Sequence, residues 1–324
     1  MSEALLSVKD LKVHFPLGKG LLGGAGGVVK AVDGISFDLR PGETLGIVGE
    51  SGCGKSTLGR AILRLTRTTE GQVVWLGQDF LGLDKNSLRE ARRDLQIIFQ
   101  DPLASLDPRM TIGAIIARPL KTFCPDLGKA EIDKRVKEAM AQVGLAPEMM
   151  RRYPHEFSGG QCQRIGIARA MILRPKLIVC DEPVSALDVS IQAQIINLLR
   201  TLQAELGLSL LFISHNLSVV RHISHRVMVL YLGKVMEIGA REAFYANPMH
   251  PYSKALISAI PLPDPKAERA RERITLQGDL PSPIKPPEGC RFCTRCPIAT
   301  ELCHASEPPL SPRADGRLVA CHHA

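Results

Sequence analysis

Residues 5–15 alternate between apolar and polar side chains, a period that predicts a strand. Ile35-Ser36-Phe37-Asp38-Leu39 repeats the pattern, and Arg40-Pro41-Gly42-Glu43 behind it reads as a turn. The unbroken apolar run Thr44-Leu45-Gly46-Ile47-Val48 predicts a short buried strand, and Leu58-Gly59-Arg60-Ala61-Ile62-Leu63 the first turns of a helix. Strands return at Gln72-Val73-Val74-Trp75 and Gln96-Ile97-Ile98-Phe99. From about residue 101 to 170 the pattern turns helical. Ile132, Val136, Ala139, Met140 and Val143 recur at helical spacing, and Gly144 suits the C-terminal cap. Then Leu177-Ile178-Val179-Cys180 reads as a strand, 190–205 as a helix and 209–213 as another strand. Alternating strand and helix argue for an α/β core with a largely parallel sheet, interrupted by a helical subdomain over 101–170.

Composition changes the picture at two places. Residues 16–27 are glycine-rich and read as a mobile loop or, preferably, a hairpin tip. Beyond 260 the chain becomes Pro-rich, then charged. Residues 281–287 form a stiff Pro-rich linker, and a cysteine cluster follows. This divides the 324 residues into a core over 1–260 and a small Cys-rich extension over 261–324. No internal repeat is visible. The net charge of +8 suits a nucleic-acid binder, a protein beside an anionic membrane face, or an ordinary basic surface. Only 4 % of residues are aromatic, which weakens any base-stacking role. No stretch approaches the roughly 20 apolar residues of a membrane span. The first residues lack the basic and apolar regions of a signal peptide, so the expected compartment is the cytoplasm. There the nine cysteines would be reduced or metal-bound rather than disulfide-paired.

The strongest chemical signal is Gly49-Glu50-Ser51-Gly52-Cys53-Gly54-Lys55-Ser56-Thr57, set between a strand and a helix. That is a P-loop in its expected context. Its glycines let backbone N–H groups turn toward phosphate oxygens, and the helix start adds partial positive charge. Lys55 would reach the β- and γ-phosphates, and the Ser56 hydroxyl would hold Mg²⁺. The strand 177–180 ends in Asp181-Glu182. An acid in that place suits Mg²⁺, and a second one suits a base for the attacking water. Phe157-Ser158-Gly159-Gly160-Gln161 opens a helical segment and offers a second phosphate-binding helix end. One chain cannot easily bring two such ends to one γ-phosphate, whereas a head-to-tail pair of subunits can.

With these motifs in order, residues 5–260 resemble the ATP-binding subunit of ABC transporters, a P-loop NTPase of RecA-like fold. Gly49 to Thr57 matches Walker A, and Ile178 to Glu182 matches Walker B. Gln100 matches the Q-loop. Ser158, Gly159, Gly160 and Gln161 match the signature, with Phe157 where the family usually has Leu. Ser185-Ala186-Leu187-Asp188 matches the D-loop and His215 the switch histidine. The resemblance implies that Lys55 and the loop amides bind ATP and that Ser56, Gln100 and Asp181 place Mg²⁺. It makes Glu182 the general base, with His215 on the γ-phosphate and residues 158–161 closing on the opposite subunit's ATP. Phe15 is the candidate for stacking on adenine, with a core aromatic as the alternative.

Three further stretches narrow the resemblance to dipeptide/oligopeptide importers, whose close relatives move nickel. They are Gln100 through Met110, His250-Pro251-Tyr252-Ser253-Lys254-Ala255-Leu256, and the tail with Cys290, Cys293, Cys296, Cys303 and Cys321. Short Pro-rich tails benefit from a metal clip, and thiolates suit zinc or an iron–sulfur cluster; free thiols are the alternative. The resemblance implies a [4Fe–4S] cluster on Cys290, Cys296, Cys303 and Cys321, with Cys293 as a possible ligand. It also implies a second, related ATPase in a heterodimer, two permeases and an extracytoplasmic substrate-binding protein. The chain would then sit on the cytoplasmic face of the inner membrane, without nucleic acid. The competing reading is a soluble ABC ATPase acting on ribosomes or nucleic acid.

Overall fold

The computed structural model describes residues 4–17, 27–261, 264–270 and 273–324. The elements run β1 (Leu6–Pro16), β2 (Val28–Leu39), β3 (Thr44–Val48), α1 (Lys55–Ile62), β4 (Glu70–Trp75), β5 (Gln78–Asp79), α2 (Lys85–Asp94) and β6 (Leu95–Ile98). Next come α3 (Ile112–Phe123), α4 (Lys129–Gln142), α5 (Gly159–Met171), β7 (Leu177–Asp181), α6 (Val189–Leu206), β8 (Ser209–Ile213) and α7 (Leu217–Ile223). The chain closes with β9 (Arg226–Tyr231), β10 (Lys234–Ala240), α8 (Arg241–Ala246), α9 (Pro251–Ser258), α10 (Pro265–Ala270), α11 (Glu301–Ala305), β11 (Ser311–Pro312) and β12 (Leu318–Val319). No helix among the described residues is long and apolar enough to cross a membrane.

The chain divides into two compact units. The first holds Arg40–Thr44 and Gly82–Ile213. Its strands β6, β7 and β8 run parallel, with β7 in the middle. Every residue of β7 and β8 is buried, as strands covered on both faces must be. Helices α3, α4 and α5 pack on one another. The apolar stripe read from the sequence is the buried face of α4: Ile132, Val136, Ala139 and Met140. Residues 101–111, expected to be helical, form turns instead. Asp101 Oδ1 accepts the Ala104 N–H at 3.0 Å and Asp107 Oδ1 the Arg109 N–H at 3.0 Å. Such side-chain turns compete with the helix, and Pro102 and Pro108 remove two of its donors.

The second unit holds Ala4–Leu39, Leu45–Leu81 and Ser214–Ala324. Here the expectation of a largely parallel sheet is corrected. One sheet, ordered β2-β1-β4-β5, is antiparallel throughout. In the other, β3 and β9 are parallel, while β9-β10-β12-β11 is antiparallel. The short connections dictate this, because a two-residue link can only reverse the chain. Leu76-Gly77 and Leu232-Gly233 make such links, both residues of each having positive φ, as hairpins of this twist require. The strands β1 and β2 pair from Leu6↔Leu39 to Pro16↔Val28, and the Leu17 N–H donates to the Gly27 carbonyl at 2.8 Å. Residues 18–26 of the glycine-rich stretch lie outside the described residues, as do 262–263 and 271–272 of the stretch after 260.

The cysteine-rich tail shares the core of this unit. Phe292 is fully buried beside Tyr231 and Tyr252, and β12 pairs with β10 at Glu237↔Val319 and Ile238↔Leu318.

The candidate nucleotide site and the cysteine-rich tail

In the second unit, β3 delivers the chain into the phosphate loop and α1 leaves it. Gly54 is the residue before α1, with φ of +102°. A Cβ there would lie 2.0 Å from the Ala31 carbonyl oxygen, so the turn admits only glycine. Lys55 is 4 % exposed and donates from Nζ to the Gly49 carbonyl at 2.8 Å and the Glu50 carbonyl at 2.9 Å. Its ammonium therefore lies inside the curve of the loop. Cys53 is buried too; burial pushes its thiol up, and the nearby Lys55 opposes this in part. Ser51 and Gly52 are exposed, and Ser56 and Thr57 are half-buried.

Glu50 is held from outside the loop. Its N–H donates to the Tyr252 hydroxyl at 2.9 Å, and its carboxylate takes Arg295 Nη1 at 2.8 Å and Nη2 at 3.2 Å. Sequence reasoning marked the His250-Pro251-Tyr252 stretch only as a family feature and gave Arg295 no role. Phe15, near the end of β1, is 42 % exposed, which leaves its ring open for stacking. His215 is also exposed, one residue before Asn216, whose side chain caps α7.

The first unit carries the acids. Asp181 ends β7 and is 1 % exposed. Glu182 follows with φ of +47°, a conformation that L residues adopt only under constraint. Its N–H donates to the Ile213 carbonyl at 3.0 Å, and its own carbonyl accepts the Ser185 hydroxyl at 3.1 Å. The Gln100 side-chain amide donates to Glu182 Oε2 at 3.3 Å. The structure thus brings together Gln100 and Glu182, two residues 82 positions apart.

Ser158 and Gln161 explain each other. Ser158 Oγ accepts the Gln161 N–H at 3.3 Å, and Gln161 Oε1 accepts the Ser158 N–H at 3.0 Å. This reciprocal cap starts α5 and gives Gln161 a structural task that the sequence alone did not disclose. A Cβ on Gly160 would lie 2.6 Å from Ile191 Cγ2, so this glycine lets α5 approach α6. Ser158 and Gly159 stay exposed. Asp188 is exposed at the N-terminus of α6.

In the tail, Cys290, Cys293 and Cys303 are buried and Cys296 and Cys321 half-buried. Burial pushes Cys290 up to about 11, with Cys293, Cys303 and Cys296 adding to the rise. Burial also raises Cys296, and Cys321, Cys303 and Cys293 add to that. Backbone hydrogen bonds join four of them: the Cys290 N–H donates to the Cys303 carbonyl at 2.8 Å, the Cys293 N–H to the Cys290 carbonyl at 3.0 Å and the Cys296 N–H to the Cys293 carbonyl at 3.4 Å. Among the described residues, however, no group of three or more His, Cys, Asp or Glu is placed to hold a metal ion, so the cluster expected on these cysteines finds no assembled ligand set. The tail is ordered by other means. Arg291 pairs with Asp33, and Arg317 with the fully buried Glu237. Burial works to raise Asp33, but the His14 hydrogen bond and the charges of Lys234, Arg291 and Lys30 hold it below the usual carboxylate range.

The comparisons with known proteins agree with this layout. The ABC transporter family model matches residues 32–185. The oligopeptide transport ATP-binding protein OppF of Salmonella typhimurium is 60 % identical over 95 % of this chain and 93 % of its own length. The chain belongs to the ABC transporter ATP-binding proteins. A second model, the oligopeptide/dipeptide transporter C-terminal region, matches residues 236–303. AppF of Bacillus subtilis, another oligopeptide transport ATP-binding protein, is 54 % identical over 99 % of the chain and 97 % of its own. Among solved structures, a dimeric ATP-binding cassette in a post-hydrolysis state with ADP and Pi superposes at a TM-score of 0.65, with 28 % identity, over 73 % of this chain and 98 % of that one. CbiO1 of Clostridium perfringens, from an ABC transporter complex, also reaches 0.65, with 25 % identity, over 76 % of this chain and 92 % of its own. Membership of this family carries ATPase activity, with ATP and Mg²⁺ as its requirements.

Proposed function

We propose that this chain is the ATP-hydrolysing subunit that powers import of di- and oligopeptides through an ABC transporter. The observation that carries this reading is end-to-end likeness, at 60 % identity, to a protein named for oligopeptide transport, with the P-loop, signature and acid pair all present. Residues 1–260 would be the ATPase and 261–324 the peptide-transporter extension. The chain would sit on the cytoplasmic face of the inner membrane. Its partners would be a related ATPase, two permeases and, through them, an extracytoplasmic substrate-binding protein.

Each residue has a task in the proposed turnover. The loop amides and Lys55 bind the phosphates of ATP, and Phe15 stacks on adenine. The Ser56 hydroxyl, the Gln100 amide and the Asp181 carboxylate are oxygen donors of the kind Mg²⁺ takes, and would hold it. When bound, that ion neutralises charge on the β- and γ-phosphates. Glu182 accepts a proton from the water that attacks the γ-phosphorus as the bond to the β–γ bridging oxygen breaks, releasing ADP and phosphate. Gln100, hydrogen-bonded to Glu182, orients both the base and the water. His215 supports the γ-phosphate, and Asp188 shapes the approach to the opposite subunit. Residues 158–161 close on the ATP held by the partner ATPase, so hydrolysis requires the pair.

For the tail, the finer reading is a [4Fe–4S] cluster on Cys290, Cys296, Cys303 and Cys321, with Cys293 beside them. What supports it is the backbone hydrogen bonding that keeps Cys290, Cys293, Cys296 and Cys303 together. Iron and sulfide analysis of anaerobically purified protein tests it, and protein without iron overturns it.

The experiment for the main proposal is gentle solubilisation of membranes with this chain tagged. Two multispanning permeases and a second, similar ATPase should come with it. Ribosomal proteins or nucleic acid in their place would favour the soluble ATPase reading. If the importer complex takes up nickel but not peptides, the cargo assignment fails while the transport ATPase stands.

A further inference from the structure

Arg295 takes no part in the proposed chemistry, yet its side chain reaches the phosphate loop. It stands in the single turn Cys293–Arg295, between two of the tail cysteines. Its side chain is 10 % exposed and that of Glu50 30 %. The guanidinium meets both carboxylate oxygens of Glu50, at 2.8 Å and 3.2 Å. A two-pronged pair of this kind fixes orientation as well as distance. Nη1 also lies 3.4 Å from the Tyr231 hydroxyl. Independently, the Tyr252 hydroxyl takes the Glu50 N–H at 2.9 Å. Phe292, three residues before Arg295, packs on Tyr231 and Tyr252 with ring centroids 5.3 Å apart in each case. Side chain and backbone of the loop's second residue are thus held by two separate segments of the C-terminal part. The Glu50 carbonyl is in turn one of the two that Lys55 bonds. What fixes Glu50 therefore fixes the carbonyl that orients the loop lysine.

We propose that Arg295, together with Tyr252, is a positioning residue for the phosphate loop, through which the cysteine-rich tail sets the loop's readiness for nucleotide. The inference rests on the reading of that loop as the ATP site. It gives the tail a function inside the ATPase cycle: disorder of the 290–296 stretch would loosen the loop without touching a residue that contacts phosphate.

The test uses the full chain and four variants: Arg295→Met, Arg295→Lys, Glu50→Gln and the double Arg295→Met/Glu50→Gln. Arg295→Met removes a partly exposed pair and should raise KM for ATP about fivefold, with kcat within about twofold, and Glu50→Gln should raise KM in the same direction. Arg295→Lys keeps the charge without the fork and should fall between. The double variant should be no worse than either single. Amide exchange at residues 49–55, measured without nucleotide, should speed up in both single variants. Folded single variants with unchanged KM and unchanged loop exchange would overturn the proposal. If Arg295→Met does not fold, Glu50→Gln decides, because it leaves the tail intact. Lys55→Ala separates the two readings. If it binds a non-hydrolysable ATP analogue as well as wild type does, the ATP site reading fails, while the exchange data still report on the pairing.

Discussion

Glu182, the residue proposed as the base, also carries backbone strain. Its φ of +47° places the carboxylate at the end of the buried strand β7, beside the Gln100 amide. A left-handed conformation costs an L residue about 1–2 kcal/mol. Glu182→Gly should therefore gain roughly 1 kcal/mol in urea unfolding while losing ATP hydrolysis. Glu182→Gln keeps the shape and the strain. It should bind ATP normally, hydrolyse none and accumulate as ATP-bound dimers. Wild-type turnover by Glu182→Gln would remove Glu182 from the role of base. The sequence singled out both Gln100 and Glu182 by motif, and the structure brings the two within 3.3 Å. The positive φ was not legible in the sequence, since it follows from how Glu182 is tied to Ile213 and Ser185. Gln161 is similar: its type was plain, but its partnership with Ser158 only the structure displays.

At the scale of elements, the tail is fastened by buried polar groups, and these make it sensitive. Arg317 is 2 % exposed and donates to Glu237 Oε1 at 3.1 Å, to the Ala243 carbonyl at 3.2 Å and to the Asn247 carbonyl at 2.6 Å. Glu237 also accepts the N–H groups of Met249 and His250. Arg317→Met leaves that carboxylate buried without its cation, and should lower stability by about 3–5 kcal/mol in denaturant unfolding. Replacing Glu237 by Gln at the same time should recover part of the loss, because the amide oxygen still accepts the Met249 and His250 N–H groups without a buried charge. His250 supplies a pH dependence. Its Nδ1 accepts the Tyr252 N–H at 3.0 Å at the start of α9. Burial pulls it down from 6.5 to about 4, against a hydrogen bond with the Ala320 backbone. The unfolded chain thus takes the proton first as pH falls. Stability from this group is full above pH 6.5 and declines toward pH 4, by about 3 kcal/mol in all. His250→Asn should flatten that slope in unfolding measured across the window. Strands and long amphipathic helices were legible because burial imposes a period on them. The turns of 101–111 and the docked tail were not, because Asx turns and long-range ion pairs impose none.

For the whole molecule, the motifs read from the sequence fall in both units. The phosphate loop and His215 lie in one, the acid pair and the signature in the other. Motif order in the sequence marked both sets as candidates, but it could not show that the cysteine tail pairs with the loop, since Arg295 and Glu50 lie 245 positions apart. The basic surface implied by a net charge of +8 suits a subunit beside an anionic leaflet, and its membrane attachment should weaken as salt rises. The central claim, that ATP hydrolysis by this chain drives peptide import, is tested most directly by uptake of a labelled oligopeptide into cells lacking the chain and complemented with wild type or Glu182→Gln. The account predicts uptake with wild type and none with Glu182→Gln, although both assemble with the permeases in equal amount. Equal peptide uptake by the two would contradict it.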